Sequence, residues 1–248
     1  MAALFRKAKQ NRIFQDVVDQ IQVAILDGRL SPGDRLPAER ELSEMLGTSR
    51  GTLREALRIL EHIGLIEIRL GVGGGAIVKD PGGEQITESL AMLIRSQKIS
   101  LRHLAEFREE VEASVADLAA QRATSRDISR LRRLLVKARV CWEKGVSEWT
   151  EFMHVDEQMH MALARATGNP VYTIILKTVH ENIHPYYIHF LSVGENELNE
   201  NFQDLNELVE AVAEGNAEQA RELARDHVHR FSRYMENKKK ELNGNFKN

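Results

Sequence analysis

Hydrophobic residues recur with a helical period along most of the chain, and only one short region alternates as a strand does. Residues 13–26 carry an apolar stripe at helical spacing and predict a first helix. Two shorter helices follow, separated by Gly47 and Thr48, and the second begins near Ser49. Its inward face consists of leucines at i, i+4 and i+7, namely Leu53, Leu57 and Leu60. The pattern is typical of a helix-turn-helix.

The strand-like region follows directly. Apolar and polar residues alternate over 65–69, a glycine-rich loop covers 71–75, and the apolar run 76–78 returns, so a small hairpin, or wing, is predicted. The glycine run also resembles a nucleotide-binding loop. Such a loop leads into a helix whose N-terminus faces the phosphates. Here more strand residues and Pro81 follow, so the sequence argues against that class of site.

Beyond the hairpin the pattern becomes wholly helical. The linker 79–83 contains a proline and two glycines, and we place the domain boundary there. The predicted fold is mainly α: a winged helix-turn-helix domain over 1–80 and an all-helical bundle over 84–243. The predicted bundle helices span 84–97, 100–123, 125–144, 147–167, 170–192, 197–214 and 216–241.

The charge distribution limits how the first domain can bind a polyanion. The formal net charge of the chain is −3, and residues 1–80 carry 12 basic and 11 acidic side chains. A cationic surface must therefore be local, built from a few arginines and from the basic arm over 1–12. Because general basicity is weak, we expect a homodimer that binds two DNA half-sites rather than one copy acting alone.

The remaining composition indicates a cytoplasmic protein. No stretch approaches the ~18 consecutive apolar residues of a membrane span, so no membrane partner is expected. The first residues also lack the apolar run of a signal peptide. Cys141 is the single cysteine, which excludes an intramolecular disulfide and a multi-cysteine metal cluster. A buried helix thiol is the simplest interpretation of it.

Short hydrogen-bonding side chains and arginines crowd the start of the second short helix. They are Ser49, Arg50, Thr52 and Arg54. Arginine can bond a guanine edge in two places, and serine or threonine can reach phosphates or bases in the major groove. Helix-turn-helix units also occur as plain packing elements, so the side chains, more than the geometry, favour DNA binding.

Several motifs in this region resemble the winged-helix domain of the GntR family. They are Ile25–Gly33 (ILDGRLSPG), Leu36–Leu42 (LPAEREL), Ser49–Leu57 (SRGTLREAL) and the wing Gly71–Val78. The resemblance implies that Arg40, Arg50, Thr52 and Arg54 contact DNA. It also implies that Gly71 lets the wing tip approach the minor groove. Many relatives carry a small polar or hydrophobic residue where this chain has Gly51, so base preference there is left open.

The predicted bundle places polar residues where apolar ones are expected. Phe152, Asp156, His160 and Leu163 share one face of their helix, and His227 lies in the inward stripe of the last helix. Asp156, His160 and His227 together form a mixed oxygen and nitrogen set that suits Zn²⁺, Mn²⁺ or Ni²⁺. Buried histidines more often only satisfy a neighbour, and that alternative stays open. The histidines left to the surface or to packing are His154, His180, His184, His189 and His229.

Arg108 continues an inward stripe and is the candidate for binding the anion of a small effector molecule. A buried guanidinium needs an acceptor, and its fork matches a carboxylate. An internal salt bridge, to Glu112 or to another helix, is the alternative.

Residues from about 100 to 235 resemble the helical FCD effector domain of the FadR subgroup. The matching pieces are Phe107–Glu112 with Leu118–Ala120, Asp156–His160 with Asn169, and Ala211–Asn216 with Ala220 and His227. Many members of that subgroup hold a metal through one Asp and three His beside a small-carboxylate site. Three of these ligand positions are matched by Asp156, His160 and His227, but the fourth is occupied by Leu205. A metal-free site, as in acyl-CoA-binding FadR, is therefore the alternative.

These features predict a sequence-specific DNA-binding transcriptional regulator, preferably a repressor, and not an enzyme. The expected partners are a palindromic double-stranded operator, a small organic acid and a second copy of the chain, with one divalent ion (Zn, Ni or Mn) per subunit. A metal-dependent enzyme using Asp156, His160 and His227 is the less favoured alternative, because the remaining sequence carries no catalytic motif.

Overall fold

The structure is a computed structural model that describes residues 12–71, 73–80, 83–190 and 194–245. The chain divides into two compact units, residues 1–85 and 86–248, and each has its own hydrophobic core. Residues 1–11 of the predicted basic arm lie outside the described residues. Among the described helices, none is long and apolar enough to cross a membrane.

The first unit contains the predicted helix-turn-helix. Helices α1 (Arg12–Leu26), α2 (Glu39–Met45) and α3 (Arg50–His62) are followed by strands β1 (Ile66–Arg69) and β2 (Gly75–Val78). The leucine stripe of α3 is buried and packs against α1. The helix begins at Arg50 because the Oγ of Ser49 accepts a hydrogen bond from the backbone N–H of Thr52 at 3.1 Å.

The wing is a two-stranded antiparallel hairpin that also forms hydrogen bonds with the segment before α2. Its register runs from Ile66 opposite Val78 to Arg69 opposite Gly75. The preceding segment pairs with the other edge of β2, since the N–H of Leu36 donates to the carbonyl of Ala76 at 2.9 Å. The Arg35 guanidinium donates to the carbonyl of Gly73 at the hairpin tip. The sequence pattern did not predict these contacts of Arg35 and Leu36 with the wing.

The second unit is the predicted all-helical bundle, and its helix boundaries lie within two residues of the predictions except at the end of the last helix. The helices are α4 (Glu84–Arg95), α5 (Leu101–Arg122), α6 (Ser125–Glu143), α7 (Trp149–Ala166), α8 (Pro170–Phe190), α9 (Glu195–Ala213) and α10 (Ala217–Asn245). Helix α4 ends early because Gln97 has φ 58°, a left-handed conformation that stops a helix. Glycine is usual there, so the sequence contained no stop signal.

Helix α5 positions the functional residues because it packs against α7, α8, α9 and α10. The core around it is largely aliphatic, with Leu131, Phe152 and Met159 among its largest fully buried side chains. Cys141 is buried and free, as predicted. The same core also contains charged and imidazole side chains contributed by α5, α7, α8 and α10.

Candidate functional site

The start of α3 presents the first candidate surface. Ser49 and Arg50 are exposed and Thr52 is half-buried. Arg50 forms no ion pair with any residue that the structure describes. The Ser49 hydroxyl caps the helix, and its Oγ lies 2.9 Å from Oγ1 of Thr52. The structure therefore leaves the Arg50 guanidinium available to a partner and uses Ser49 first as a helix cap.

Two further arginines of the first unit have weak acidic partners. Arg54 Nε donates to Glu39 Oε2 at 2.7 Å, which links α3 to α2. Arg40 Nε lies 3.8 Å from Glu44 Oε1. Both arginine side chains remain exposed, at 61% for Arg54 and 76% for Arg40. Exposed ion pairs contribute at most about 1 kcal/mol, so both guanidinium groups can exchange these partners for phosphate or base.

The wing tip is built from glycines for structural reasons. Gly71 is exposed and has φ +95°, and a Cβ there meets nothing within 4 Å. A Cβ on Gly74 would lie 2.2 Å from the carbonyl oxygen of Arg69, which the tight turn does not permit. At Gly71 and Gly74 the tip therefore presents backbone without side-chain bulk.

The second unit buries a group of titratable side chains together. We call it the buried polar cluster, and none of its members is more than 6% exposed. It consists of Arg108 and Glu112 from α5, Asp156 and His160 from α7, His180 from α8, and His227 from α10. Burying charge is costly unless the charge is paired, so the contacts within this cluster decide what it can do.

Two imidazoles converge on one carboxylate oxygen. Asp156 Oδ1 lies 3.3 Å from His227 Nε2 and 3.6 Å from His160 Nε2. The other nitrogen of each ring faces a second carboxylate. His160 Nδ1 contacts Glu112 Oε2, and His227 Nδ1 lies 3.2 Å from Asp204 Oδ2. Each imidazole is thus held between Asp156 and an outer carboxylate.

Each outer carboxylate is held in turn by an arginine. Arg108 Nε donates to Glu112 Oε1 at 2.5 Å. Arg230 donates to both oxygens of Asp204, at 2.9 and 3.1 Å. Two chains of the form arginine–carboxylate–histidine therefore meet at Asp156. Outer carboxylates of this kind orient imidazole rings and direct their remaining nitrogen toward a common centre.

The contacts within the buried polar cluster raise the pKa of some of its members and lower the pKa of others. Burial opposes ionisation of Glu112, but the charge of Arg108, assisted by His160 and His180, lowers its pKa well below the usual range. Burial likewise opposes a charged His160, yet Glu112 and Asp156 raise its pKa to about 10. For His180 the balance is reversed: burial, and then the neighbouring Arg108, lower its pKa. These pKa shifts favour an imidazolium at His160, beside Asp156, and a neutral ring at His180.

The structure brings Asp156, His160 and His227 together, with one ligand atom from each within 4.8 Å of the others. Four buried atoms of the cluster have no hydrogen-bond partner among the described residues. They are Glu112 Oε2, Asp156 Oδ1, His160 Nε2 and His180 Nε2. Arg108 pairs with Glu112, which is the alternative raised from the sequence, and Leu205 lies in the hydrophobic core.

Sequence reasoning missed part of this arrangement. The sequence pattern assigns His180 to the surface or to packing, but it belongs to the buried polar cluster. The signal was present, because Leu176, Val179 and Ile183 surround it at helical spacing and are buried. Asp204 and Arg230 had no such signal, since nothing in their local pattern distinguishes them from surface charges.

Comparisons with known proteins identify both units. Residues 14–75 match the family described as bacterial regulatory proteins, gntR family, and residues 103–230 match the FCD domain. The chain is 36% identical over 161 residues to the Uxu operon transcriptional regulator of Escherichia coli, covering 64% of this chain and 60% of that protein. It is 29% identical over 205 residues to the HTH-type transcriptional regulator LutR of Bacillus subtilis, covering 79% and 89%.

A solved structure shares the fold. The chain aligns with a Streptococcus agalactiae GntR with a TM-score of 0.66 at 23% identity, covering 89% of this chain and 99% of that one. The matched domains and named relatives are those of transcriptional regulators and not of enzymes. The chain therefore belongs to the GntR family of bacterial regulatory proteins and carries an FCD effector domain.

Proposed function

We propose that this GntR-family regulator represses transcription by binding a palindromic operator as a homodimer, and that a small carboxylate in the FCD domain controls its DNA affinity. A divalent ion held by Asp156, His160 and His227 forms part of the effector site. The observation that carries the effector half is the convergence of two buried imidazoles on Asp156 Oδ1, each oriented from behind by a carboxylate.

Arg50 is the central residue of the proposed DNA interface because it is exposed and has no ion-pair partner among the described residues. Arg40 and Arg54 add guanidinium groups, Ser49 and Thr52 add hydroxyls, and Gly71 supplies close backbone approach at the wing tip. An arginine that bonds O6 and N7 of guanine contributes about 1–3 kcal/mol of discrimination. Two half-sites per dimer then provide the specificity that one weakly basic unit lacks.

The DNA test uses the full chain and a matched control. A random duplex library is selected with wild-type protein at moderate salt, and the enriched site is titrated with Arg50→Ala and Arg58→Ala. Arg58 is an exposed arginine two turns further along α3, paired with Glu55 at 2.8 Å. We expect Arg50→Ala to lose about 5- to 150-fold in preference for the enriched site, and Arg58→Ala to keep the preference. Equal preference in all three proteins would contradict the assignment.

The cluster suits a divalent ion. Two imidazole nitrogens and one carboxylate oxygen are typical ligands of Zn²⁺, Ni²⁺ and Mn²⁺. Asp156 Oδ1 and His160 Nε2 are buried without a hydrogen-bond partner among the described residues. Buried polar atoms normally have a partner, and a bound cation would provide one for both atoms. A divalent ion would supply a positive centre for an effector oxygen and would replace the proton that His160 otherwise carries.

The charge balance favours an anionic effector. Arg108 balances Glu112, and Arg230 balances Asp204, which leaves Asp156 as the remaining carboxylate. With a divalent ion and neutral imidazoles the site therefore carries one net positive charge, which matches a monocarboxylate. Arg108 provides the fixed guanidinium next to the imidazoles, and a guanidinium fork can donate two parallel hydrogen bonds to a carboxylate.

In this proposal the dimer has two states that differ in the spacing of its DNA-binding units, and this difference couples the effector site to the DNA interface. If the carboxylate binds more tightly to the state with the unsuitable half-site spacing, operator affinity falls by the coupling free energy between the two ligands. By reciprocity, operator DNA must weaken carboxylate binding by the same factor.

The effector test measures metal and anion separately. Metal content is determined on purified protein, and binding of a panel of small hydroxy and keto acids is measured by calorimetry with Zn²⁺ and with a chelator. We expect the chelator to abolish acid binding, and Arg108→Lys to weaken it because lysine keeps the charge but loses the fork. Binding that is unchanged in the chelator would contradict the metal-dependent site. A tight response to acyl-CoA without metal would establish the alternative effector class.

A further inference from the structure

Helix α6 is strongly basic in a part of the chain that is acidic overall. It carries six basic and two acidic side chains, whereas residues 81–248 together carry 22 basic and 26 acidic ones. On one side of the helix these cations have partners within the fold. Arg132 pairs with Glu210 of α9 at 3.2 Å, and the Arg139 guanidinium lies 6.0 Å from the centre of the Phe202 ring.

Another side of α6 carries a line of cations that we call the basic stripe. It consists of Arg126, Arg130, Arg133 and Lys137. Steps of four, three and four residues place these side chains next to one another along the helix, and all four are exposed. None of them forms an ion pair with any part of the chain that the structure describes. The stripe therefore lacks the intramolecular partners that Arg132 and Arg139 have.

The surroundings of the stripe add positive charge. Burial lowers the pKa of Arg165 on α7, and the nearby charge of Arg130 lowers that pKa further. Asp127 is the acid within this stretch of α6, but it caps the helix, since its Oδ2 accepts the backbone N–H of Thr124 at 3.0 Å. Like charges four residues apart destabilise a helix, so helix stability does not explain this line of cations. An external anion would.

Duplex DNA fits the stripe better than a single strand or a protein surface does. Aromatic side chains that stack on bases are typical of single-strand binding, but the aromatic residue of α6, Trp142, already stacks on Phe202 at 4.8 Å. A protein interface has an apolar core rich in aromatic residues, and the large exposed apolar side chains of α6 are only Val136 and Val140.

The dimensions and the side-chain types also match a phosphate backbone. The stripe covers 11 residue steps, or about 16 Å of helix. A duplex carries one negative charge for every ~1.7 Å of its axis, so it offers about ten phosphates over that length. Three of the four cations are arginines, whose planar fork binds phosphate oxygens in two places.

We propose that the basic stripe binds the phosphate backbone of the DNA that flanks the operator. The inference rests on operator binding by the helix-turn-helix unit. Once that unit holds an operator, the flanks of the same duplex are present at a high effective concentration. Phosphate contacts add affinity and salt dependence without reading bases. The stripe thus supplements a first unit whose general basicity is weak.

The test measures how flanking DNA changes the affinity of the full chain. The enriched site is titrated as a minimal duplex and as one extended by about three helical turns on each side, over a series of salt concentrations. The stripe variant replaces all four cations of the basic stripe with glutamine. We expect the wild type to bind the extended duplex more tightly, and the stripe variant to bind both duplexes equally.

The salt dependence gives the expected size of the effect. Each lost phosphate contact lowers the slope of log affinity against log salt by about 0.9. On the extended duplex we therefore expect the slope of the stripe variant to be smaller than that of the wild type by about 3 to 4. A variant with only Arg126→Lys, Arg130→Lys and Arg133→Lys keeps the charge and should keep the wild-type slope.

A control variant removes the same amount of charge from exposed cations that already have acidic partners. Its substitutions are Arg102→Gln, Arg132→Gln, Lys144→Gln and Lys177→Gln, at positions paired with Glu106, Glu210, Glu148 and Glu181. We expect it to keep the gain from the flanks. Thermal unfolding checks folding, and the stripe variant should be at least as stable as the wild type because repulsion along α6 is removed.

Three results would overturn the proposal. The first is a stripe variant that keeps the gain from the flanks. The second is an equal loss in the control variant, because net charge would then be responsible. The third is weaker self-association of the stripe variant in sedimentation without DNA, which would make a second copy of the chain the partner of this surface.

The experiment separates this inference from the function on which it rests. If the wild type enriches no site, the proposed operator binding fails and the role of the stripe fails with it. If the wild type enriches a site and Arg50→Ala loses the preference, but flanking DNA adds nothing to the affinity of the wild type, only the role of the stripe fails.

Discussion

Charged side chains serve opposite purposes in the two units of this protein. In the helix-turn-helix unit, Arg40, Arg50 and Arg54 are exposed. The acidic partner of Arg40 is exposed as well, and that of Arg54 is half-buried. In the helical unit, Arg108 and Glu112 are almost completely buried. Ion pairs on the surface contribute little to stability and can exchange partners. A buried charge, in contrast, needs an oppositely charged partner at a fixed position. The first arrangement suits a long polyanion and the second suits an ion or a small molecule.

Helix α5 contains both arrangements within a few residues. Arg102 pairs with Glu106 and Arg108 with Glu112, each four residues apart. The Arg102 and Glu106 side chains are 75% and 62% exposed, while those of Arg108 and Glu112 are 5% and 2% exposed. The same two residue types at the same spacing therefore provide a direct comparison of the two environments.

The largest expected effect follows from breaking the buried pair. Glu112→Ala leaves the Arg108 guanidinium without its carboxylate partner and removes the outer carboxylate of His160. We expect the unfolding free energy of the helical unit to fall by about 3–5 kcal/mol, measured by urea denaturation in the presence of a chelator. Glu106→Ala is the matched control and should stay within experimental error. Similar losses in both variants would show that burial does not distinguish the pairs.

The pH dependence of the unfolding free energy tests a second charge that is buried in the helical unit, the one on His160. The pKa of His160 is raised from 6.5 to about 10, so its stabilisation is complete below pH 6.5 and is lost as pH rises through 10. In chelator, we expect the unfolding free energy of the helical unit to decline over that interval, because the folded state keeps a proton that the unfolded state has already released. The decline should be smaller in His160→Gln. Part of it should stay, because Asp156 and Asp204 also raise the pKa of His227 against the effect of burial. A wild-type profile that is flat from pH 6.5 to 10 would contradict an imidazolium beside Asp156.

The smallest effect concerns the exposed pair between α2 and α3. Glu39→Gln removes the charge that competes with DNA for Arg54. Because such pairs contribute at most about 1 kcal/mol, we expect operator affinity to rise by no more than about fivefold, with little change in stability. Gel-shift titration measures the affinity, and Glu55→Gln, beside Arg58, is the comparison. A large loss of affinity would instead show that Glu39 positions Arg54 for binding.

The sequence by itself determined the order of the elements and the character of each unit. Helical periodicity, the Ser49 cap and the glycines of the wing act over a few residues, so their consequences are visible in the local pattern. The exposed arginines of α3 were also predictable, because a surface position requires no distant partner. The inward positions of Asp156, His160 and His227 followed from spacing alone, and their residue types suggested the three as one ligand set. The family resemblance then matched the same three residues to ligand positions.

Only the tertiary structure decided which polar side chains meet. Asp204 reaches His227 while the next residue, Leu205, enters the hydrophobic core, and successive helical residues differ in direction by about 100°. Which of two neighbours faces a distant histidine depends on how α9 is rotated against α10, and spacing along the chain does not contain that information. His180 joined the cluster for the same reason: its partners lie on other helices, and packing, not local sequence, brings them together.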